Sequence, residues 1–151
     1  MEKESYNSSK KMKKNPLENL LIEEEYVIEK LLYELLEPFV RFNKQTGQII
    51  FREPFYQCLD AEGKIIISLA AIYALHLLNL RDDPSISLRD IASITGVNYN
   101  TVRPRLSKAG KASKFAEKVK QGVYKFNISK ISEAKAFIEN QLKKCELGEE
   151  S

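Results

Sequence analysis

A glycine at position 96 sits between two short amphipathic stretches, residues 87–95 and 98–107, and that spacing leaves few folds open. Ser87 has the short oxygen-bearing side chain that caps a helix, and Asp90 follows where negative charge offsets the helix dipole. Leu88, Ile91 and Ala92 recur at helical spacing and form one buried face. Gly96 stands where the first helix must stop, because glycine enters the left-handed conformation without a Cβ clash. Val97 plugs the turn, Asn98 caps the second helix, and Val102 and Leu106 point back onto the first. Tyr99, Asn100, Arg103 and Ser107 are left facing outward. The spacing predicts two short helices packed across a tight turn.

Downstream, residues 116–120 and 123–127 flank Gln121-Gly122, a pair suited to a two-residue hairpin. Alternation sends Tyr124, Phe126 and Ile128 toward the core, leaving Lys118, Lys120 and Lys125 for the strands' solvent side. Charge concentrates here. Residues 98–130 hold nine basic groups (Arg103, Arg105, Lys108, Lys111, Lys114, Lys118, Lys120, Lys125 and Lys130) against Glu117 alone. Residues 15–97 carry a net charge of −6, and the whole chain carries only +3. Solvated surfaces intersperse the two signs, so a local excess of +8 is the footprint of a polyanion-binding face. If about six of these groups neutralise phosphates, affinity for duplex should fall with a log–log salt slope of about −5.

The string from Ser87 to Leu106, and above all Tyr-Asn-Thr-Val-Arg-Pro-Arg-Leu over residues 99–106, resembles the helix-turn-helix of winged-helix DNA-binding proteins, most closely archaeal members. The resemblance covers about residues 60–128. It implies a mostly α chain with small β-hairpins, a winged helix-turn-helix with an N-terminal helical extension. It also implies a duplex DNA-binding transcriptional regulator whose second helix enters the major groove. Carried over by position, Tyr99, Asn100 and Arg103 would face bases, since arginine forks onto guanine and asparagine onto adenine. Asn98, Thr101, Arg105, Ser107, Lys108, Lys111, Lys114, Lys118, Lys120 and Lys125 would hold the sugar-phosphate backbone. Two departures stand out. Pro104 falls inside the recognition helix, where it removes a hydrogen bond, crowds the Asn100 carbonyl and predicts a kink. The run Lys-Ala-Gly-Lys-Ala-Ser-Lys after Ser107 lacks the large apolar groups usual there, predicting a helix end that is loosely packed or carried further than usual. The same positive face would also serve a module that docks on RNA, a ribosome or a protein.

The remaining segments frame this domain. Residues 1–15 read as a disordered basic tail. Residues 16–59 combine a helix over 17–36, started by Pro16 and ended before Pro38, with a small hairpin about Thr46-Gly47. That helix carries one broad apolar face and a second patch of Ile22, Tyr26 and Tyr33, which suggests a homodimer joined through it. Residues 65–80 predict a helix buried on several sides and capped by Asp60, too short and interrupted for a membrane span. Residues 129–146 predict an amphipathic helix that closes the core or joins the dimer surface, and 147–151 a frayed tail. No apolar leader opens the chain, so a cytoplasmic protein is expected. Cys58 and Cys145 show no metal-ligand spacing and are expected as two free thiols, with one bridge as the alternative. His76 is expected to be a satisfied core histidine. No nucleophile–histidine set or phosphate-cradling loop can be assembled, so neither catalysis, a metal nor a cofactor is expected.

Overall fold

The core of the described residues centres on one helix, residues 61–77. The computed structural model describes Leu17 and residues 24–53, 55–107 and 110–146. The chain is mostly helical with two small antiparallel sheets. In order the elements are α1 (Glu24–Leu36), β1 (Val40–Phe42), β2 (Ile49–Phe51), α2 (Ala61–Leu77), β3 (Ser85–Ser87), α3 (Leu88–Thr95), α4 (Tyr99–Ser107), β4 (Ala116–Lys120), β5 (Val123–Phe126) and α5 (Ile131–Glu146). Short 3-10 turns occupy Phe55–Cys58, Lys111–Phe115 and Ile128–Lys130.

α2 is buried around its whole circumference, with Ile65, Ile66, Ile67, Leu69, Ala70 and Ala71 fully enclosed. Asp60 caps it as expected, its carboxylate accepting from the Gly63 N–H at 2.8 Å. The fully buried hydroxyl of Ser68 within this helix donates to the Ile65 carbonyl at 2.8 Å. No helix among the described residues is long and apolar enough to cross a membrane. His76 reaches only the half-buried last turn, with Nδ1 3.3 Å from the Arg81 carbonyl oxygen.

α1 seats Leu32, Leu35 and Leu36 in the same core, while Tyr26 and Tyr33 stay exposed. The predicted start of this helix, including Leu20, Leu21 and Ile22, lies outside the described residues, as do the basic tail and residues 147–151. β1 and β2 pair in the predicted hairpin, in register Val40↔Phe51 and Phe42↔Ile49. Gly47 takes the positive φ its turn requires. Tyr56 stacks on Phe51 and donates its hydroxyl to the Thr95 carbonyl at 3.1 Å, and burial pushes its phenol above the usual range. α5 closes the core: Ile131, Ala134 and Ile138 are buried, and Lys135 lies 3.7 Å from Glu34 of α1.

The second sheet has the order β3-β5-β4. β3 pairs with β5 through Ile86↔Tyr124, and β5 pairs with β4 through Ala116↔Phe126 and Lys118↔Tyr124. Ile86, Tyr124 and Phe126 face the core as alternation requires. Ile128 is only partly buried at its edge.

The expectation for the cysteines is overturned. Cys58 and Cys145 form a disulfide, with Cα atoms 5.7 Å apart and a separation of 87 positions in sequence. α5 runs back along the molecule until its last turn meets the Phe55–Cys58 turn, a proximity that no local spacing announces.

Candidate nucleic-acid interface

The two helices around Gly96 form as the caps dictate. The Ser87 hydroxyl accepts from the Asp90 N–H at 3.1 Å, and Gly96 ends α3 at φ +80° with its N–H on the Ala92 carbonyl. Nothing lies within 4 Å of where a Gly96 Cβ would stand, so the glycine is required by its φ and not by crowding. Asn98 Oδ1 then accepts from the Asn100 N–H at 2.8 Å to open α4. Ile91 and Val102 are fully buried where α3 and α4 meet.

Asn100 and Arg103 are exposed on α4, as expected. Tyr99 is not free in the same way. Its ring is half-buried against the core and lies beneath the Arg89 guanidinium, 4.7 Å from the ring centroid. Tyr99 therefore joins the two helices, and its outward placement is corrected. Thr101 is half-buried, and Asn98 is exposed with its carbonyl oxygen used in the cap. α4 runs through Pro104 without interruption to Ser107. Pro104 is exposed, so the Asn100 carbonyl that lost its helical donor can take one from solvent.

The basic cluster divides once its partners are seen. Arg105 donates Nη1 to Glu62 Oε2 at 2.7 Å, and Glu62 is a buried acid in the first turn of α2. The other Glu62 oxygen accepts the buried Ala112 N–H at 2.6 Å. One carboxylate thus fastens α4 and the turn that follows it to the central helix. Gly110 makes this possible: a Cβ there would stand 2.5 Å from Arg105 Cα and 2.6 Å from its carbonyl oxygen. Ala112 and Phe115 are buried behind it, so the end predicted to be loose is packed.

Arg105 is accordingly assigned to holding the fold and removed from the backbone-contact set. Lys114 pairs with Glu133 at 3.0 Å, and this hydrogen bond, with the charges of Lys114 and Lys130, holds the Glu133 carboxyl below the usual range. Lys125 lies 3.7 Å from Glu117 across the hairpin, and Ser107 spends its hydroxyl proton on the Pro104 carbonyl. Lys111 is exposed and lines a groove with Cys58, Asp60 and Cys145. Lys108 lies outside the described residues.

Lys118 and Lys120 sit on β4, exposed, with a register break at Val119 and the Gly122 turn beside them. Among the described residues neither has a carboxylate partner, and Lys118 reaches only the Gln121 side-chain oxygen at 3.4 Å. The break places Lys120 opposite Val123 while Lys118 stays opposite Tyr124. Among the described residues, what remains on α4 and the hairpin for an anionic partner is Arg103 and Asn100 with Lys118 and Lys120. Sequence reasoning missed Arg89 and Glu62. A lone acid among the isoleucines of α2 was the available sign, because a buried carboxylate demands a donor. No protein-family model, curated protein or solved structure matches this chain.

Proposed function

We propose that this chain is a winged-helix protein that binds duplex DNA and acts in transcription regulation. The order α2, β3, α3, α4, β4, β5, with β3 pairing the second strand of the hairpin, supports the winged-helix reading. The observation that carries the functional reading is an exposed Arg103 on a helix whose opposite face is fully buried, alongside a hairpin with unpaired lysines. In this reading α4 enters the major groove, Asn100 and Arg103 meet base edges, and Lys118 and Lys120 follow the phosphates. Arg105, Lys114, Lys125 and Ser107 act by holding the scaffold. Competition tests it: unlabelled duplex should displace a bound labelled duplex at least tenfold more effectively than structured RNA of equal length. RNA competing as well or better would favour an RNA-docking module instead.

The reading includes a homodimer. A groove of about 480 Å³ lies between α1, β1 and the end of α2, lined by Leu32, Tyr33, Leu36, Phe42, Leu77 and Leu78. Tyr33 and Leu78 are each more than half exposed, an apolar pairing that soluble surfaces usually cover. The groove lies at the opposite end of α2 from Glu62, about 22 Å away by helical rise. Pairing two copies there separates their α4 helices, as binding to two half-sites requires. Sedimentation of the full chain should give a dimer, and Tyr33→Glu a monomer; a monomeric parent chain would remove the dimer from the account.

A further inference from the structure

The Cys58–Cys145 disulfide has no part in the proposed DNA contacts, yet it lies beside the residues that hold α4. Cys58 ends the turn that leads into α2, and Cys145 lies in the last turn of α5. Both are half-buried and line a groove of about 430 Å³ that also carries Asp60, Lys111 and Lys144. A second tie joins the same two elements. Gln141 of α5 donates Nε2 to Asp60 Oδ1 at 3.0 Å, and its Oε1 accepts the Asp60 N–H at 3.3 Å. Two residues further on, Glu62 grips Arg105 of α4 and the N–H of Ala112, the neighbour of Lys111. The bridge, the groove and the carboxylate latch are therefore linked through the first turn of α2.

We infer that Cys58–Cys145 is a thiol-exchange site whose redox state sets how firmly α4 is held. The co-reactant is a small dithiol. Its thiolate attacks one bridge sulfur, the S–S bond breaks, and the other cysteine leaves as a thiolate that takes up a proton. The second thiol of the reagent then displaces the mixed disulfide. Two electrons and two protons pass to the protein, and the reagent ends as its own disulfide. Lys111 and Lys144 favour both the arriving and the departing thiolate. Asp60 is the opposing charge in the groove, but its carboxylate is engaged by the Gly63 N–H and Gln141. With the bridge open, the end of α5 is held by the exposed Gln141–Asp60 hydrogen bonds and the partly buried Leu142, and the first turn of α2 loses its covalent outer brace. Only the consequence for DNA affinity rests on the proposed function.

Hydrogen exchange of the full chain, oxidised and after dithiothreitol under native conditions, tests this, with thiols counted by alkylation. Both cysteines should become alkylatable without denaturant. Exchange should then rise roughly tenfold over residues 139–146, and also over 101–107 and 112–115. Closure of so long a loop predicts a fall in Tm of roughly 10–15 °C on reduction. Duplex affinity should weaken about threefold to tenfold as the competent pose of α4 becomes less populated. A Cys58→Ser/Cys145→Ser chain should match the reduced state and ignore dithiothreitol. The inference is overturned if the bridge opens only in denaturant, or if α5 loosens while 101–107 and 112–115 keep their protection. Should exchange spread to α4 while neither form binds duplex, the redox coupling stands and the DNA reading falls.

Discussion

Replacing Glu62 with alanine should lower the free energy of unfolding by about 3 kcal/mol, a large share of what a domain of this size possesses. Three losses combine. The Ala112 N–H is fully buried and would lose its Glu62 acceptor, which costs about 1–3 kcal/mol. The charge-assisted bond to Arg105 also disappears, but that side chain is 40% exposed and can turn to water, so its share is about 1 kcal/mol or less. The methylenes of Glu62 leave a small void beside α4. Glu62→Gln retains an acceptor for Ala112 and should cost roughly 1 kcal/mol. Arg105→Ala strands the buried carboxylate and should also destabilise, whereas the double variant should cost less than the two single changes together. Denaturant unfolding reads all of these. A Glu62→Ala chain within about 0.5 kcal/mol of the parent would mean that the latch holds nothing.

The local architecture around position 96 was legible because it depends on near-neighbour chemistry. A cap at Ser87, a glycine with φ of +80° at 96 and a cap at Asn98 leave α3 and α4 little choice of boundary. The two hairpins were readable for the same reason, from alternation and from glycines at 47 and 122. What the sequence hid was long-range. The Cys58–Cys145 bridge and the Glu62–Arg105 pair each join residues more than forty positions apart, and no periodicity encodes such contacts. Counting charges along residues 98–130 cannot tell which of the nine cations an acid from elsewhere in the chain will hold. Folding brought Glu62, Glu117 and Glu133 to four of them, Arg105, Lys125, Lys114 and Lys130, and the free set shrank accordingly. Tyr99 was misplaced for a related reason: at the start of a short helix, an aromatic ring can fold back under a neighbouring arginine as readily as it can point outward.

Removing Arg103, Lys118 and Lys120 together should weaken duplex binding about a hundredfold or more while leaving stability nearly unchanged. All three are exposed and none is held by a carboxylate among the described residues, so their loss breaks nothing inside the fold. Arg103→Ala alone should cost about 1–3 kcal/mol of affinity and relax the preference at one base position. The lysine changes should act equally on every duplex, because phosphates carry no sequence.

The most direct test of the central claim is the slope of log affinity for duplex against log salt concentration. With the paired cations removed from the count, the two or three that remain should give the parent chain about −2 to −3, shallower than the −5 expected when six groups are taken as free. Lys118→Ala/Lys120→Ala should make it shallower by about 2. A parent slope near zero, or one that those two substitutions leave unchanged, would contradict the assignment of this hairpin and helix to DNA.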